Sequence, residues 1–128
     1  FKVFLMTQSM DTVIAVGGAP IVPLYDFLRK FAYPDIQHME TLTALDTIPQ
    51  LPTQVLVIID LDGEDDAPFN LLAMLTARAK AGTAKIIALA TSPSETVIQK
   101  AKAAKISALL TKPVSPDQLA DRINKLVA

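Results

Sequence analysis

The chain contains no cysteine and no tryptophan, one histidine and four glycines in 128 residues. Without cysteine there is no disulfide framework, no thiol nucleophile and no thiolate for a metal. The absence fits a reducing compartment, and a cytoplasmic location is expected. The single histidine, His38, lies in a weakly strand-like stretch and reads as a partly buried or surface side chain rather than a ligand. No sign of charge dominates: 12 Lys and Arg stand against 13 Asp and Glu, and no basic cluster is longer than two residues. That balance excludes the electrostatic footprint of a nucleic-acid binder, and an acidic tail is also missing. No apolar run approaches the roughly 18–20 residues that cross a bilayer. The opening FKVFLM is too short for a signal peptide and has no cleavage pattern. Because the chain begins with Phe1, it reads as a piece of a longer protein. Aromatic residues make up only 5%, and no phosphate-binding glycine fingerprint occurs, which argues against a nucleotide- or flavin-binding domain.

What the chain does have is aliphatic mass. Half of it is hydrophobic (51%), enough for one domain to bury a core without cross-links. Apolar strand-like runs fall at 12–16 (TVIAV), 54–59 (QVLVII), 85–90 (KIIALA) and 107–111 (SALLT), with a weaker one near 36–41. Helix-like stretches alternate with them. IVPLYDFLRKF and the short TALDTI supply the first two. DAPFNLLAMLTARAKAG has acids at its start, basic residues late, and Gly82 where a left-handed terminal residue belongs. SPSE at 92–95 predicts a helix capped by Ser92, with Pro93 at its first position and Glu95 closing the capping box. SPDQ at 115–118 repeats the device with Ser115, Pro116 and Gln118. Met6, Met10, Met39 and Met74 are scattered and read as core filler.

Aliphatic runs without alternation mark strands buried on both faces, and strand–helix alternation then predicts a parallel sheet between helix layers. The expected architecture is α/β: a doubly wound five-stranded parallel sheet with helices on both faces. Residues 11–128 form the domain. Residues 1–10 are an extra segment, an edge strand or the true first strand. In such sheets sites gather where the strands end at their carboxyl side. Those ends are Gly17 and Gly18, Asp60, Thr91, and Lys112 with Pro113.

Asp60 after the third strand, Thr91 after the fourth and Lys112-Pro113 after the fifth resemble the phosphorylation site of a CheY-like response-regulator receiver domain. The intervals are close to that family's pattern, and TKPVSPDQLADRINKLV resembles its final strand-to-helix passage. The resemblance implies a flavodoxin-like sheet with the strand order 2-1-3-4-5. The resemblance implies that Asp60 is phospho-acceptor-like, that Thr91 and Lys112 bind the phosphoryl oxygens, and that Mg²⁺ is held by Asp60, by the carbonyl of Asp62 and by an acidic pair ending the first strand. Here the sequence departs from the family. Counting back from Asp60 by the family interval lands on Gly17 and Gly18, which offer no carboxylate, and a hard cation keeps too few charged oxygens. Asp65 or Asp66 bending back is a partial substitute. A second departure is Leu109, the switch position, where receivers carry Tyr or Phe. The expectation is an atypical receiver, or pseudo-receiver: a signal-transduction and protein-interaction module whose output does not need phosphate, with no enzyme activity and no resident cofactor. Its partners are expected to be a protein or a fused output or kinase domain. The resemblance also implies that the face of the fourth helix, fifth strand and fifth helix (93–105, 107–111 and 116–127) serves for effector contact or for a homodimer.

Other readings remain beside it. A conventional phospho-accepting receiver would use Asp60 directly. VLVIIDLDG also resembles the first motif of haloacid-dehalogenase-type phosphatases, with Asp60 as nucleophile and Asp62 as general acid, but no downstream acidic pair follows it. More plainly, Asp60 caps a turn, Lys112 pairs with it in a structural salt bridge, and Thr91 is an ordinary strand-end hydroxyl. Gly17-Gly18 is then a turn. Asp62, Glu64, Asp65 and Asp66 are a solvated loop with acids near a helix start.

Overall fold

The computed structural model describes residues 12–51, 54–62 and 66–127. The expectation for residues 1–10 lies outside the described residues, as do Glu64 and Asp65.

Among the described residues five strands and five α-helices alternate: β1 Thr12–Val16, α1 Val22–Phe31, β2 Gln37–Met39, α2 Thr41–Thr47, β3 Val55–Asp60, α3 Ala67–Ala81, β4 Ala84–Ala90, α4 Glu95–Ala103, β5 Ala108–Thr111 and α5 Pro116–Val127. The strands form one parallel sheet in the order β2-β1-β3-β4-β5. The class is that expected from the aliphatic runs, and the strand order is that implied by the receiver resemblance.

The central strand explains why the sheet is doubly covered. Every residue of β3 is buried, so its two faces serve two cores. Val55, Val57 and Ile59 point into a cluster with Ile14, Val16, Ile86 and Ala88, closed by Leu71, Leu72 and Leu75 of α3 and Ala44 of α2. Leu56 and Ile58 point the other way, toward Ala15, Ile87 and Leu89, under Leu28 of α1 and Leu119 and Ile123 of α5. Each such side chain taken from water contributes about 1.5–3 kcal/mol. Tyr33 donates a hydrogen bond to Asn124 Oδ1, tying the end of α1 to α5. Arg78 Nη1 donates to the Ile48 carbonyl at 3.1 Å, tying α3 to the turn that follows α2.

Helix ends follow their caps. Gly82 adopts φ +82° at the end of α3, the left-handed residue expected there. At α5 the capping box is complete: Gln118 N donates to Ser115 Oγ at 3.1 Å and Ser115 N to Gln118 Oε1 at 3.3 Å. At α4 the expectation needs correction. The cap is Ser94 rather than Ser92, and its Oγ accepts from Val97 N at 3.2 Å. Two serines flank Pro93, and either can cap. Choosing the later one leaves Ser92 and Pro93 to bridge the strand end to the helix.

Met39 packs against the core as expected, but Met74 is 49% exposed on the outer side of α3 and is not core filler. Met6 and Met10 lie outside the described residues.

Candidate functional site

The carboxyl ends of β1, β3, β4 and β5 meet at one edge of the sheet. Parallel pairing carries past the strand ends and fixes their loops. Leu61 N donates to Leu89 O and Lys112 N to Ala90 O, each at 2.8 Å. Lys112 is therefore delivered beside the end of β4, opposite Asp60. The Lys112–Pro113 peptide bond is cis.

Asp60 is the last residue of β3 and, among the described residues, the buried charged one, at 6% exposure. Burying a carboxylate demands partners for both oxygens. Lys112 Nζ donates to Oδ2 at 2.8 Å, and Asp62 N donates to Oδ1 at 2.9 Å. The second bond is a local one, an aspartate accepting the amide two residues on, and it turns the chain immediately after the strand.

That turn has a consequence for Asp62. Its side chain lies toward the end of β4, where Oδ2 accepts the Thr91 hydroxyl at 2.6 Å and both oxygens accept the Thr91 amide at 3.1 Å. Lys112 Nζ lies 3.0 Å from the same Oδ2. One ammonium thus bridges two carboxylates, and one carboxylate gathers three donors from two strand ends. Burial works to raise the Asp62 pKa, but the Thr91 hydroxyl and amide and the Lys112 ammonium outweigh it and hold it below the usual carboxylate value. Burial works to lower that of Lys112, yet hydrogen bonds and charge from Asp60 and Asp62 raise it above the usual lysine value.

Gly17 closes the site from the β1 side. It sits at φ +148°, and a Cβ there would lie 3.0 Å from Asp60 Cβ, so both backbone and space favour glycine. Its amide donates to Met39 O at 3.0 Å. Its carbonyl accepts from His38 Nε2 at 2.9 Å, and the His38 ring lies 5.5 Å from that of Tyr25. His38 is thus half-buried and bonded to backbone. Nothing lies within 4 Å of a Cβ at Gly18.

The structure brings Asp60, Asp62, Thr91 and Lys112 together, with Gly17 against Asp60. Leu109 lies in β5, half-buried against the core face shared with α3, with no polar tip to rotate. Asp66 stands at the N-cap of α3 and makes no side-chain cap bond. What the sequence reading missed is the Asp62 side chain as the partner of Thr91 and Lys112: the receiver reading gave Asp62 a role through its carbonyl, and the phosphatase reading made it a general acid. The signal was present in Asp-x-Asp: the first aspartate fixes the amide of the second and aims its carboxylate across the strand ends.

The chain matches no protein-family model and no curated protein. Solved structures do match. The chain is similar to a CheY-like response regulator receiver domain protein from Methanospirillum hungatei, with TM-score 0.74 and 21% identity over 92% of this chain and 94% of that one. It is similar to a response regulator from Colwellia psychrerythraea, with TM-score 0.73 and 17% identity over 92% and 97%. The chemotaxis protein CheY4 of Vibrio cholerae follows at TM-score 0.68 and 18% identity over 92% and 99%. The fold is that of response-regulator receiver domains.

That fold implies Mg²⁺ beside the acceptor aspartate, and the residues present do not fit it. Gly17 and Gly18 carry no oxygen ligand on a side chain. Both Asp60 oxygens are engaged by donors, one of them an ammonium that repels a cation. Among the described residues no group of three or more His, Cys, Asp or Glu side chains is placed to hold a metal. Among the same residues no helix is long and apolar enough to cross a membrane.

Proposed function

We propose that the chain is a pseudo-receiver: a signal-transduction and protein-interaction module that keeps the receiver fold, needs neither phosphate nor Mg²⁺, and is not an enzyme. One observation carries the reading. Lys112 is shared between Asp60 at 2.8 Å and Asp62 at 3.0 Å, while glycines stand where a metal needs acids. One ammonium thus pairs with both carboxylates and offsets one of their two negative charges within the chain. Phosphoryl transfer to Asp60 would require a carboxylate free to attack and a cation to neutralise the crowded oxygens. Asp60 is instead paired.

With both carboxylates already paired, binding is the role of the domain. A protein partner, or an output or kinase domain fused in a longer chain, is the expected counterpart, and α4, β5 and α5 form the face for it or for a second copy. A cytoplasmic setting accords with this.

The phosphatase reading is disfavoured by Asp62. A general acid must carry a proton near neutral pH, and Asp62 is held ionised by Thr91 and Lys112.

The test is chemical. The protein is incubated with acetyl phosphate and Mg²⁺ and its intact mass is measured. An unchanged mass is expected. A stoichiometric gain of one phosphoryl group, lost in Asp60→Asn, would establish the conventional receiver instead.

A further inference from the structure

We infer that Asp62 is an internal ligand: its carboxylate fills an oxyanion-binding site built by Thr91 and Lys112, and removing it opens that site to a free tetrahedral oxyanion. The inference deepens the pseudo-receiver reading and rests on it, because it names what occupies the site in place of an external anion.

The donor set makes the case. Thr91 offers its amide and its hydroxyl from one residue at the end of β4, and Lys112 offers an ammonium from the end of β5. All three converge on Asp62, at 3.1, 2.6 and 3.0 Å. A backbone amide, a hydroxyl and a cation converging on one small volume form an arrangement that recognises carboxylates and phosphates through charge-assisted bonds. Nothing in it is specific to a tethered anion. Asp62 holds the position because the Asp60 carboxylate takes the Asp62 amide at 2.9 Å and places the following side chain over the strand ends. Tethering also gives a high effective concentration, so the carboxylate outcompetes dissolved anions without any exceptional contact.

Two further features bear on an incoming anion. Lys112 keeps its charge while paired with buried Asp60, so losing Asp62 leaves one ammonium still present but with donor capacity unfilled. An open cleft of about 510 Å³, walled by Pro23, Leu24, Pro113 and Val114, reaches Thr91 and Lys112 from solvent. An anion has a path to the site.

The arrangement makes Asp62 a positioning residue for the passage into α4. Thr91 is held at the strand end, and three residues later Ser94 caps the helix. The anion that fixes Thr91 therefore fixes the start of the segment leading to the α4–β5–α5 face. In this chain that anion is supplied permanently by Asp62.

The experiment is a titration of the whole protein with inorganic phosphate at constant ionic strength, read from amide chemical shifts. Wild type, Asp62→Ala and Asp62→Asn are compared, with chloride as the ionic control. In both variants the Thr91 amide shifts saturably with phosphate at concentrations at least about tenfold lower than any response of wild type, about 1.4 kcal/mol of preference. Acetate produces a weaker shift of the same amide in the same variants. Adding Lys112→Met to either variant abolishes both responses. Equal responses in wild type and variants, or no response in folded variants, would overturn the inference. The pseudo-receiver reading fails separately, through mass gain on wild type with acetyl phosphate.

Discussion

Replacing Lys112 by methionine removes the ammonium that pairs with Asp60 while keeping most of the aliphatic stem. Asp60 is 6% exposed and Lys112 19% exposed on its side chain, so solvent screens this pair far less than a surface one. The substitution leaves a buried carboxylate with a single donor, the Asp62 amide. Stranding one charge of a buried pair costs about 3–5 kcal/mol, and the retained amide bond together with the strand-edge position favours about 3 kcal/mol. For a chain of this length each kcal/mol lowers the Tm by about 4 °C, so Lys112→Met melts roughly 12 °C below wild type. Asp60→Asn keeps an acceptor for the Asp62 amide and leaves Lys112 its bond to Asp62, so it costs about 1–2 kcal/mol. The double variant strands no buried charge, since Asp62 keeps its Thr91 donors and is partly solvated. Its cost falls short of the sum of the single ones by about 1–3 kcal/mol, the range of coupling for residues in one network. Urea unfolding at neutral pH measures all four proteins, with unchanged m values as the control that the unfolding transition is the same. Costs that add to within about 0.5 kcal/mol would refute the argument that Asp60 and Lys112 depend on each other.

Other expectations follow from neighbouring residues. The Asp62 pKa is lower in the folded chain than in the unfolded one, so its contribution is complete above about pH 4 and is lost as pH falls through the depressed value. Asp62→Asn therefore flattens the acid limb of a stability–pH curve by under about 1 kcal/mol, since the group is partly solvated. Lys112 is raised, so its contribution is full below about pH 10 and disappears above it, and Lys112→Met removes that alkaline limb. Gly17→Ala places a Cβ 3.0 Å from Asp60 Cβ at φ +148° and destabilises by about 1–3 kcal/mol, whereas Gly18→Ala meets no neighbour and changes stability by under about 0.5 kcal/mol in thermal melts. Ser94→Ala costs about 1 kcal/mol through the lost cap, and Ser92→Ala costs close to nothing.

The sequence and the structure agree where burial alone decides. VLVIID carries aliphatic side chains on both faces because both faces of β3 are covered, and the parallel sheet follows from alternation with helices. They part where two chemically similar groups compete. Ser92 and Ser94 have equal claims as caps on either side of Pro93, and the residue types alone do not distinguish them. Met74 is apolar and sits mid-helix, but its angular position places it outward, which the residue type does not reveal. The cluster of Asp60, Thr91 and Lys112 was legible because parallel strands bring their carboxyl ends together whatever lies between. The side chain of Asp62 was not, because its direction depends on a hydrogen bond between Asp60 Oδ1 and the Asp62 amide, a matter of local geometry rather than composition. Gly17 was read as an absent acid. Its left-handed φ and its closeness to Asp60 show that it also meets a steric demand.

The central claim is that charge at the strand ends is satisfied internally, by Lys112 between two aspartates, with no need of metal or phosphoryl group. It is tested most directly by recording amide chemical shifts of the wild-type protein before and after addition of Mg²⁺ with beryllofluoride. The account predicts unchanged resonances for Asp60, Asp62, Thr91 and Lys112. Saturable shifts of all four, dependent on Mg²⁺ and absent in Asp60→Asn, would contradict it.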